Sequence, residues 1–243
     1  MAEYGAPPSR SQVRRAGELL RSPSVGADRS RGRARDAIRV LERWRDLHAP
    51  VLVDATRELR RLGSPLDASI AARLKATDSM LAKLSRSRRS KLDTMQDIAG
   101  CRIVLPDLNS ALEVSARCGE TGLTGFSVVR FSDHLSVPGP TGYRAHHLVL
   151  RHEGRGLLVE VQVRSMLQHR WASLVEDLGR RFEQPLKHGD GDPHVLQHLA
   201  ELAALVAEID RGRRQGPSVA SVRGVQRRPG ALGPDLGAEM THG

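Results

Sequence analysis

The chain has 243 residues, a formal net charge of +10 and only 3% aromatic residues. The positive charge is typical of proteins that bind polyanions, among them nucleotides, nucleic acids and membrane surfaces. So few aromatic residues argue against a long row of exposed rings, the surface on which single-stranded nucleic acid stacks.

The cysteine content and the hydropathy of the chain exclude further classes of protein. Cys101 and Cys118 are the only cysteines, too few for a disulfide framework or a cysteine-rich zinc cluster. No apolar run approaches the length of a membrane span. The N-terminal residues lack the apolar core of a secretion signal. We therefore expect a cytoplasmic protein that does not interact with membranes.

The N-terminal quarter of the chain predicts helices. Residues 1–31 are expected to form a flexible segment with a short helix from Ser11, and residues 22–31, rich in Ser, Gly and Arg, predict a linker. Apolar residues at helical spacing follow over residues 32–62. Pro50 interrupts this pattern, so we expect two helices there rather than one.

The middle and the end of the chain combine helices and strands. A third helix is expected from about residue 66 to residue 84, with Asp67 near its start. Strand patterns recur at 100–105, 126–132, 145–152 and 157–164. Further helices are predicted at 107–118, 165–181 and 194–211. This order predicts an α+β or α/β domain with a small mixed sheet. Residues 212–243 are basic and poor in apolar residues, which predicts a disordered tail.

The strand predicted at residues 157–164 has two faces of opposite character. Successive side chains of a strand point to opposite faces of the sheet. The apolar face would carry Val159, Val161 and Val163, and the polar face would carry Glu160, Gln162 and Arg164. A carboxylate, an amide and a guanidinium on one face suit a charged ligand such as phosphate. An antiparallel strand with one solvated face would show the same alternation.

Other ionisable residues lie near the predicted strands. They are Arg73, Lys75 and Lys83 on the predicted third helix, Asp97 and Arg102 around the first strand, and Tyr143, Arg144 and His147 after a glycine turn. Two carboxylates with several cations suggest phosphate chemistry, because Mg²⁺ takes one or two carboxylates beside substrate phosphates. No P-loop motif is present. As structural alternatives, Asp97 could cap a helix, and the lysines could lie on a solvated helix face.

Five segments, in this order and spacing, resemble the synthetase domain of the RelA/SpoT family. They are RLKATDSMLAKL (73–84), MQDIAGCRIV (95–104), DHLSVPGPTGYRAHH (133–147), EVQVRS (160–165) and QHRWASLVE (168–176). The resemblance implies a single synthetase domain over residues 32–211, as in a small alarmone synthetase. It also implies a nucleotidyltransferase-like α+β fold, a mixed sheet of about five strands flanked by helices, with helical N-terminal and C-terminal extensions.

The resemblance also implies an activity and a set of site residues. The reaction would be the Mg²⁺-dependent transfer of pyrophosphate from ATP to the 3′-hydroxyl of GDP or GTP, which yields (p)ppGpp and AMP. Asp97 and Glu160 would bind Mg²⁺ and act in catalysis, with Glu160 as the general base. ATP would be bound by Arg73, Lys75, Lys83, Arg102 and Arg164. The acceptor would be bound by Tyr143, Arg144, His147 and Gln162.

Departures from the family pattern leave the acceptor open. His134, Gly139 and Thr141 replace the residues that the family commonly carries in the loop near the acceptor. Alternative functions are a toxin-type relative that modifies the tRNA 3′ end or makes adenosine alarmones, and an inactive nucleotide-binding sensor. Retention of both carboxylates argues against the sensor. The sequence does not distinguish a monomer from a homo-oligomer, nor does it show whether an antitoxin binds.

Overall fold

The computed structural model describes residues 6–22, 32–120 and 122–212. The predicted linker, apart from Ser22, and the predicted tail beyond residue 212 lie outside these ranges. Gly212, predicted to begin the tail, is instead the last residue of a helix. None of the described helices combines the length and apolar content that a membrane span requires.

Seven helices and five strands make up the described part of the chain. The helices are α1 (Arg10–Leu20), α2 (Gly32–Asp46), α3 (Ala49–Gly63), α4 (Thr77–Arg86), α5 (Leu108–Glu120), α6 (Met166–Arg181) and α7 (Pro193–Gly212). The strands are β1 (Ser69–Leu74), β2 (Ala99–Leu105), β3 (Phe126–Asp133), β4 (His146–His152) and β5 (Leu158–Ser165). Short 3₁₀ helices cover Ser64–Leu66, Leu92–Thr94 and Leu186–His188.

The strands form one mixed sheet in the order β1-β2-β5-β4-β3. Strand β2 pairs with β5 in parallel, whereas the other three pairings are antiparallel. A parallel pair needs a long crossover connection, and here α5, β3 and β4 provide it. The prediction of an α+β fold with a mixed sheet of five strands is therefore confirmed.

The prediction of a third helix over residues 66–84 is wrong in its first half. Residues Ser69–Leu74 form the edge strand β1, and only Thr77–Arg86 are helical. The apolar residues of this segment recur every four residues. This spacing places them on one face of a helix, and because four is an even number it also places them on one face of a strand. Asp67 begins no helix, because its backbone has a left-handed φ of 51° at the end of the 3₁₀ helix.

The apolar face of the sheet is covered by α3 and α5. Val159 and Val161 on β5 are fully buried and Val163 is 2% exposed, which confirms the predicted apolar face. They join one cluster with residues of both helices, among them Leu59 and Val114. The burial of three valines on a central strand fixes its register, because a shift of one residue would turn Glu160 into this core.

Helices α6 and α7 are joined to the end of β5 by hydrogen bonds. Ser165 ends β5 and caps α6: its hydroxyl accepts from the Gln168 amide at 3.2 Å, and the Gln168 side chain accepts from the Ser165 amide at 3.1 Å. A buried carboxylate on α7, that of Asp210, accepts from Ser165 Oγ at 2.6 Å and from Gln168 Nε2 at 3.1 Å. These bonds join the end of β5 to both helices. Trp171 on α6 is buried in a cluster with residues of both helices.

Candidate active site

Polar side chains from β1, β2 and β5 line one cavity of about 720 Å³. The strand register gathers them: Arg73 pairs with Gly100, Gly100 pairs with Glu160, and Arg102 pairs with Gln162. Paired residues share a face of the sheet, so these side chains point to the same side. Gly100 lies between Arg73 and Glu160, and its missing side chain leaves the floor of the cavity open.

Asp97 lies just before β2 and is held by two lysines. Lys75 Nζ contacts one carboxylate oxygen at 3.1 Å and Lys83 Nζ contacts the other at 2.9 Å. Burial raises the pKa of Asp97, but the bonds from Lys83 and Lys75 outweigh it, so the pKa lies below its usual value. The carboxylate is therefore ionised at neutral pH. It holds the two lysines at the cavity wall, where they can also bind a second anion.

Glu160 belongs to a closed loop of hydrogen bonds. Its Oε2 accepts from Gln162 Nε2 at 3.1 Å, and Gln162 Oε1 accepts from Arg164 Nη2 at 2.7 Å. Arg164 Nη2 also donates to the Tyr143 hydroxyl at 2.6 Å, which lies 2.7 Å from His147 Nε2. His147 Nδ1 completes the loop, 3.3 Å from Glu160 Oε1. We call these five side chains the Glu160 circuit.

The two carboxylates lie close enough to interact. Burial raises the pKa of Glu160, and the bonds from His147 and Gln162 lower it below its usual value. The charge of Asp97 opposes this and raises the pKa of Glu160. Both carboxylates are thus ionised in one cavity. Among the described residues, no group of three or more His, Cys, Asp or Glu side chains is arranged to hold a metal ion. The pair suits Mg²⁺ that also takes ligands from phosphate and water.

Residues 72–178 match the family model described as the region found in RelA/SpoT proteins. This chain therefore contains a RelA/SpoT region. An uncharacterised protein of Mycobacterium tuberculosis is 34% identical over 123 residues, which are 50% of this chain and 43% of that protein. The GTP pyrophosphokinase YjbM of Bacillus subtilis is 26% identical over 153 residues, which are 60% of this chain and 64% of that enzyme. The chain thus spans less than half of the mycobacterial relative and less than two thirds of YjbM.

Solved structures of small alarmone synthetases share the fold of this chain. Small alarmone synthetase 1 of Bacillus subtilis, in a crystal structure with its product pppGpp, has a TM-score of 0.58 and 24% identity. That similarity covers 71% of this chain and 95% of the synthetase. A GTP pyrophosphokinase family protein of Streptococcus pneumoniae has a TM-score of 0.59 and 19% identity, over 71% of this chain and 90% of that protein.

The structure gathers most of the predicted site residues in the cavity. Its lining includes Arg73, Lys75, Lys83, Asp97, Arg102, Glu160 and Gln162. Placing Arg73 and Lys75 on a helix was wrong, because Arg73 is on β1 and Lys75 follows that strand. On an edge strand, Arg73 lies directly across from Gly100.

Two predicted arginines lie apart from the cavity. Arg144 donates to the carbonyl oxygens of Gly142 at 3.0 Å and of Ala203 at 3.4 Å. It lines a separate pocket together with Arg211. Arg164 is only 1% exposed and lies behind the cavity, within the Glu160 circuit. Neither side chain therefore lines this cavity.

Tyr143 and His147 form an aromatic group with His134 beside the cavity. The ring centroids of His134 and His147 are 5.0 Å apart, and those of Tyr143 and His147 are 5.7 Å apart. The guanidinium carbon of Arg164 lies 4.9 Å from the Tyr143 ring centroid. The substitution of His134 for the usual family residue thus places a second imidazole next to the two predicted acceptor residues.

Sequence reasoning missed part of the cavity wall. The additional polar lining comes from Arg86 at the end of α4, from Ser87 and Ser90 beyond it, and from Lys187 and Asp190 after α6. The first group lies in a basic run, residues 85–91, which is a signal that could have been used. The second group carries no local signal, because only the packing of α6 and the loop after it brings these residues to the cavity.

Proposed function

We propose that this chain transfers pyrophosphate from ATP to the 3′-hydroxyl of GDP or GTP in a Mg²⁺-dependent reaction. The observation that carries the proposal is the convergence of Asp97 and Glu160, from separate segments, in one strongly basic cavity. A polyphosphate needs cations to neutralise it, and a hydroxyl needs a base to accept its proton. The cavity contains both kinds of group.

The donor side of the cavity suits ATP. Arg73 and Arg102 lie on one face of neighbouring strands, two residues out of register. Such diagonal positions are roughly 7–8 Å apart, which leaves room for one planar base with a contact of about 3.5 Å on either side. The flat guanidinium groups can stack on adenine. Lys75 and Lys83 would then exchange part of their contact with Asp97 for the phosphates.

The acceptor side suits deprotonation of a hydroxyl. Glu160 is ionised, and its two oxygens are oriented by Gln162 and His147. We propose that Glu160 accepts the proton of the 3′-hydroxyl and that Tyr143 contacts the acceptor base. Asp97 and Glu160 would hold Mg²⁺, which would neutralise charge on the phosphates during transfer.

Two relatives support a guanosine acceptor. YjbM is named a GTP pyrophosphokinase, and small alarmone synthetase 1 was crystallised with its product pppGpp. A polyanionic acceptor such as the tRNA 3′ end is the second candidate. Arg86 lines the cavity, and Arg88, Arg89 and Lys91 are exposed in the segment after it. This basic rim would provide positive charge for a chain of phosphates that leaves the cavity.

Transfer of label from ATP tests the proposal. The protein is incubated with Mg²⁺ and ATP labelled at the γ-phosphate, together with GDP, GTP, deacylated tRNA or no acceptor. Label in a guanosine product supports the proposal, and label only in tRNA supports the second candidate. Binding of ATP without any transfer would indicate a sensor and would reject the proposed reaction. A steep salt dependence is expected for tRNA alone.

A further inference from the structure

We propose that Arg164 is a positioning residue, which orients the Glu160 carboxylate through the side chains that connect them, and that it is not a phosphate ligand. The inference rests on the proposed function, because it assigns Arg164 a part in the same reaction. It replaces the role that the sequence suggested for this arginine. Its basis is the closed geometry of the Glu160 circuit.

The burial of Arg164 argues against contact with substrate. It is among the largest fully buried side chains of the described residues and is absent from the cavity lining. Its hydrogen bonds go to neutral groups, the Gln162 amide and the Tyr143 hydroxyl. A buried guanidinium is costly to desolvate, and neutral partners repay less of that cost than a carboxylate would. The position therefore serves orientation better than stability.

The first branch of the circuit runs through Gln162. A guanidinium can only donate hydrogen bonds, so the Gln162 atom that faces Arg164 at 2.7 Å must be the amide oxygen. The amide nitrogen then faces Glu160 Oε2 at 3.1 Å. Arg164 thus fixes which end of the amide points to the carboxylate. Without it, the amide could rotate and present its oxygen to Glu160.

The second branch runs through Tyr143 and His147. The Tyr143 hydroxyl accepts from Arg164 at 2.6 Å, so its own proton is directed to His147 Nε2 at 2.7 Å. His147 then carries its proton on Nδ1, which donates to Glu160 Oε1 at 3.3 Å. The phenol fixes the imidazole tautomer, and the imidazole donates to the second carboxylate oxygen.

Both branches begin at one atom and end on the two oxygens of one carboxylate. Arg164 Nη2 has two hydrogens, one for Tyr143 and one for Gln162. Each Glu160 oxygen therefore receives one donor whose direction is set by Arg164. The carboxylate is thereby held in a single orientation in the cavity wall. Misplacement of a catalytic group by about 1 Å can cost 100-fold in rate.

Steady-state kinetics distinguish a positioning residue from a phosphate ligand. Arg164→Gln is expected to lower kcat about 100-fold with an ATP KM within about twofold of the wild type. Arg164→Lys keeps the charge but lacks the planar guanidinium. Its kcat should lie between those of the wild type and Arg164→Gln, about tenfold below the wild type. Lys83→Gln serves as the phosphate-contact reference and should raise the ATP KM. Arg170→Gln, an exposed arginine on α6, should behave as wild type. A raised ATP KM with kcat retained in Arg164→Gln would overturn the inference.

Tyrosine labelling gives a readout that needs no activity. The chain has two tyrosines, Tyr4 and Tyr143, so ¹³C at the phenol carbon gives two NMR signals, which Tyr4→Phe assigns. The Tyr143 signal should shift in Arg164→Gln and stay in place in Lys83→Gln. An unchanged Tyr143 signal in Arg164→Gln would contradict the circuit. An inactive wild-type protein would reject the proposed function and leave this result standing.

A milder variant keeps the test valid if Arg164→Gln does not fold. Tyr143→Phe retains the ring and removes only the hydroxyl, which breaks the second branch and leaves the first intact. We expect kcat to fall about tenfold, less than for loss of both branches, with the ATP KM unchanged. A wild-type kcat in Tyr143→Phe would show that the second branch does not orient Glu160.

Discussion

The two sides of the cavity are held together by different kinds of interaction. On the donor side, Lys75, Lys83 and Asp97 are partly exposed, with side chains 17%, 37% and 21% accessible, and they interact through full charges. On the acceptor side, the Glu160 circuit is closed by directional hydrogen bonds around the buried Arg164. Ion pairs near the surface exchange partners easily, whereas a buried network holds one geometry. Changes to the two donor-side lysines should therefore act mainly on binding, and changes to the Glu160 circuit mainly on the rate.

Replacement of Glu160 by Gln should have the largest effect. The amide keeps the shape of the side chain but cannot accept the proton of a hydroxyl, so kcat should fall by roughly 1,000-fold. ATP binding, measured by calorimetry with a non-hydrolysable analogue, should change little. Glu153→Gln, at an exposed position in the β4–β5 turn, is the control. Turnover of Glu160→Gln within a few-fold of wild type would remove Glu160 from the reaction.

Replacement of Asp97 by Asn should have opposite effects on metal and nucleotide. Loss of a carboxylate should raise the Mg²⁺ concentration needed for activity and lower kcat by about 100-fold. In the absence of metal, Lys75 and Lys83 would no longer be paired with Asp97, so ATP should bind a few-fold more tightly. Metal-free binding that weakens instead would mean that the lysines do not serve the nucleotide.

Replacement of Lys83 by Gln should affect binding more than rate. A charge-assisted bond to phosphate contributes about 1.5–3 kcal/mol, so its loss should raise the ATP KM at least tenfold. The pKa of Asp97 should also rise, because Lys83 is the strongest of its lowering contacts. Lys91→Gln is the matched control, since Lys91 is exposed and not part of the cavity lining. An unchanged ATP KM in Lys83→Gln would break the distinction between the two sides.

Gly142 provides a test that acts on stability. Its φ is +77°, and a side chain there would bring Cβ within 2.3 Å of Ala203 Cβ on α7. Gly142→Ala should lower the free energy of unfolding by about 2–4 kcal/mol and loosen the loop that carries Tyr143. Gly119→Ala, in α5 with open space around it, should be neutral or slightly stabilising. Thermal unfolding of both variants measures the difference, and equal melting temperatures would contradict it.

The sequence predicted which side chains of β5 share its polar face better than it predicted what those side chains contact. The alternation over 157–164 was enough to place Glu160 and Gln162 on a polar face, because three valines require the opposite face to be the core. β1 was misassigned as a helix because its apolar residues recur every four residues, a spacing that fits one face of a helix and one face of a strand. The position of Arg164 behind the cavity could not be predicted. It depends on a loop glycine, Gly142, that lets Tyr143 approach from a distant segment, and no pattern within one strand records that contact.

The nucleotide released from ATP tests the central claim most directly. The wild-type protein is incubated with ATP, GDP and Mg²⁺, and the adenine nucleotides are separated by ion-exchange chromatography. If an intact pyrophosphate passes from ATP to the acceptor in the cavity that contains Asp97 and Glu160, AMP and a pyrophosphorylated guanosine product should accumulate in equal amounts. Glu160→Gln should form neither product. Accumulation of ADP in place of AMP, or of AMP without a pyrophosphorylated acceptor, would contradict the account.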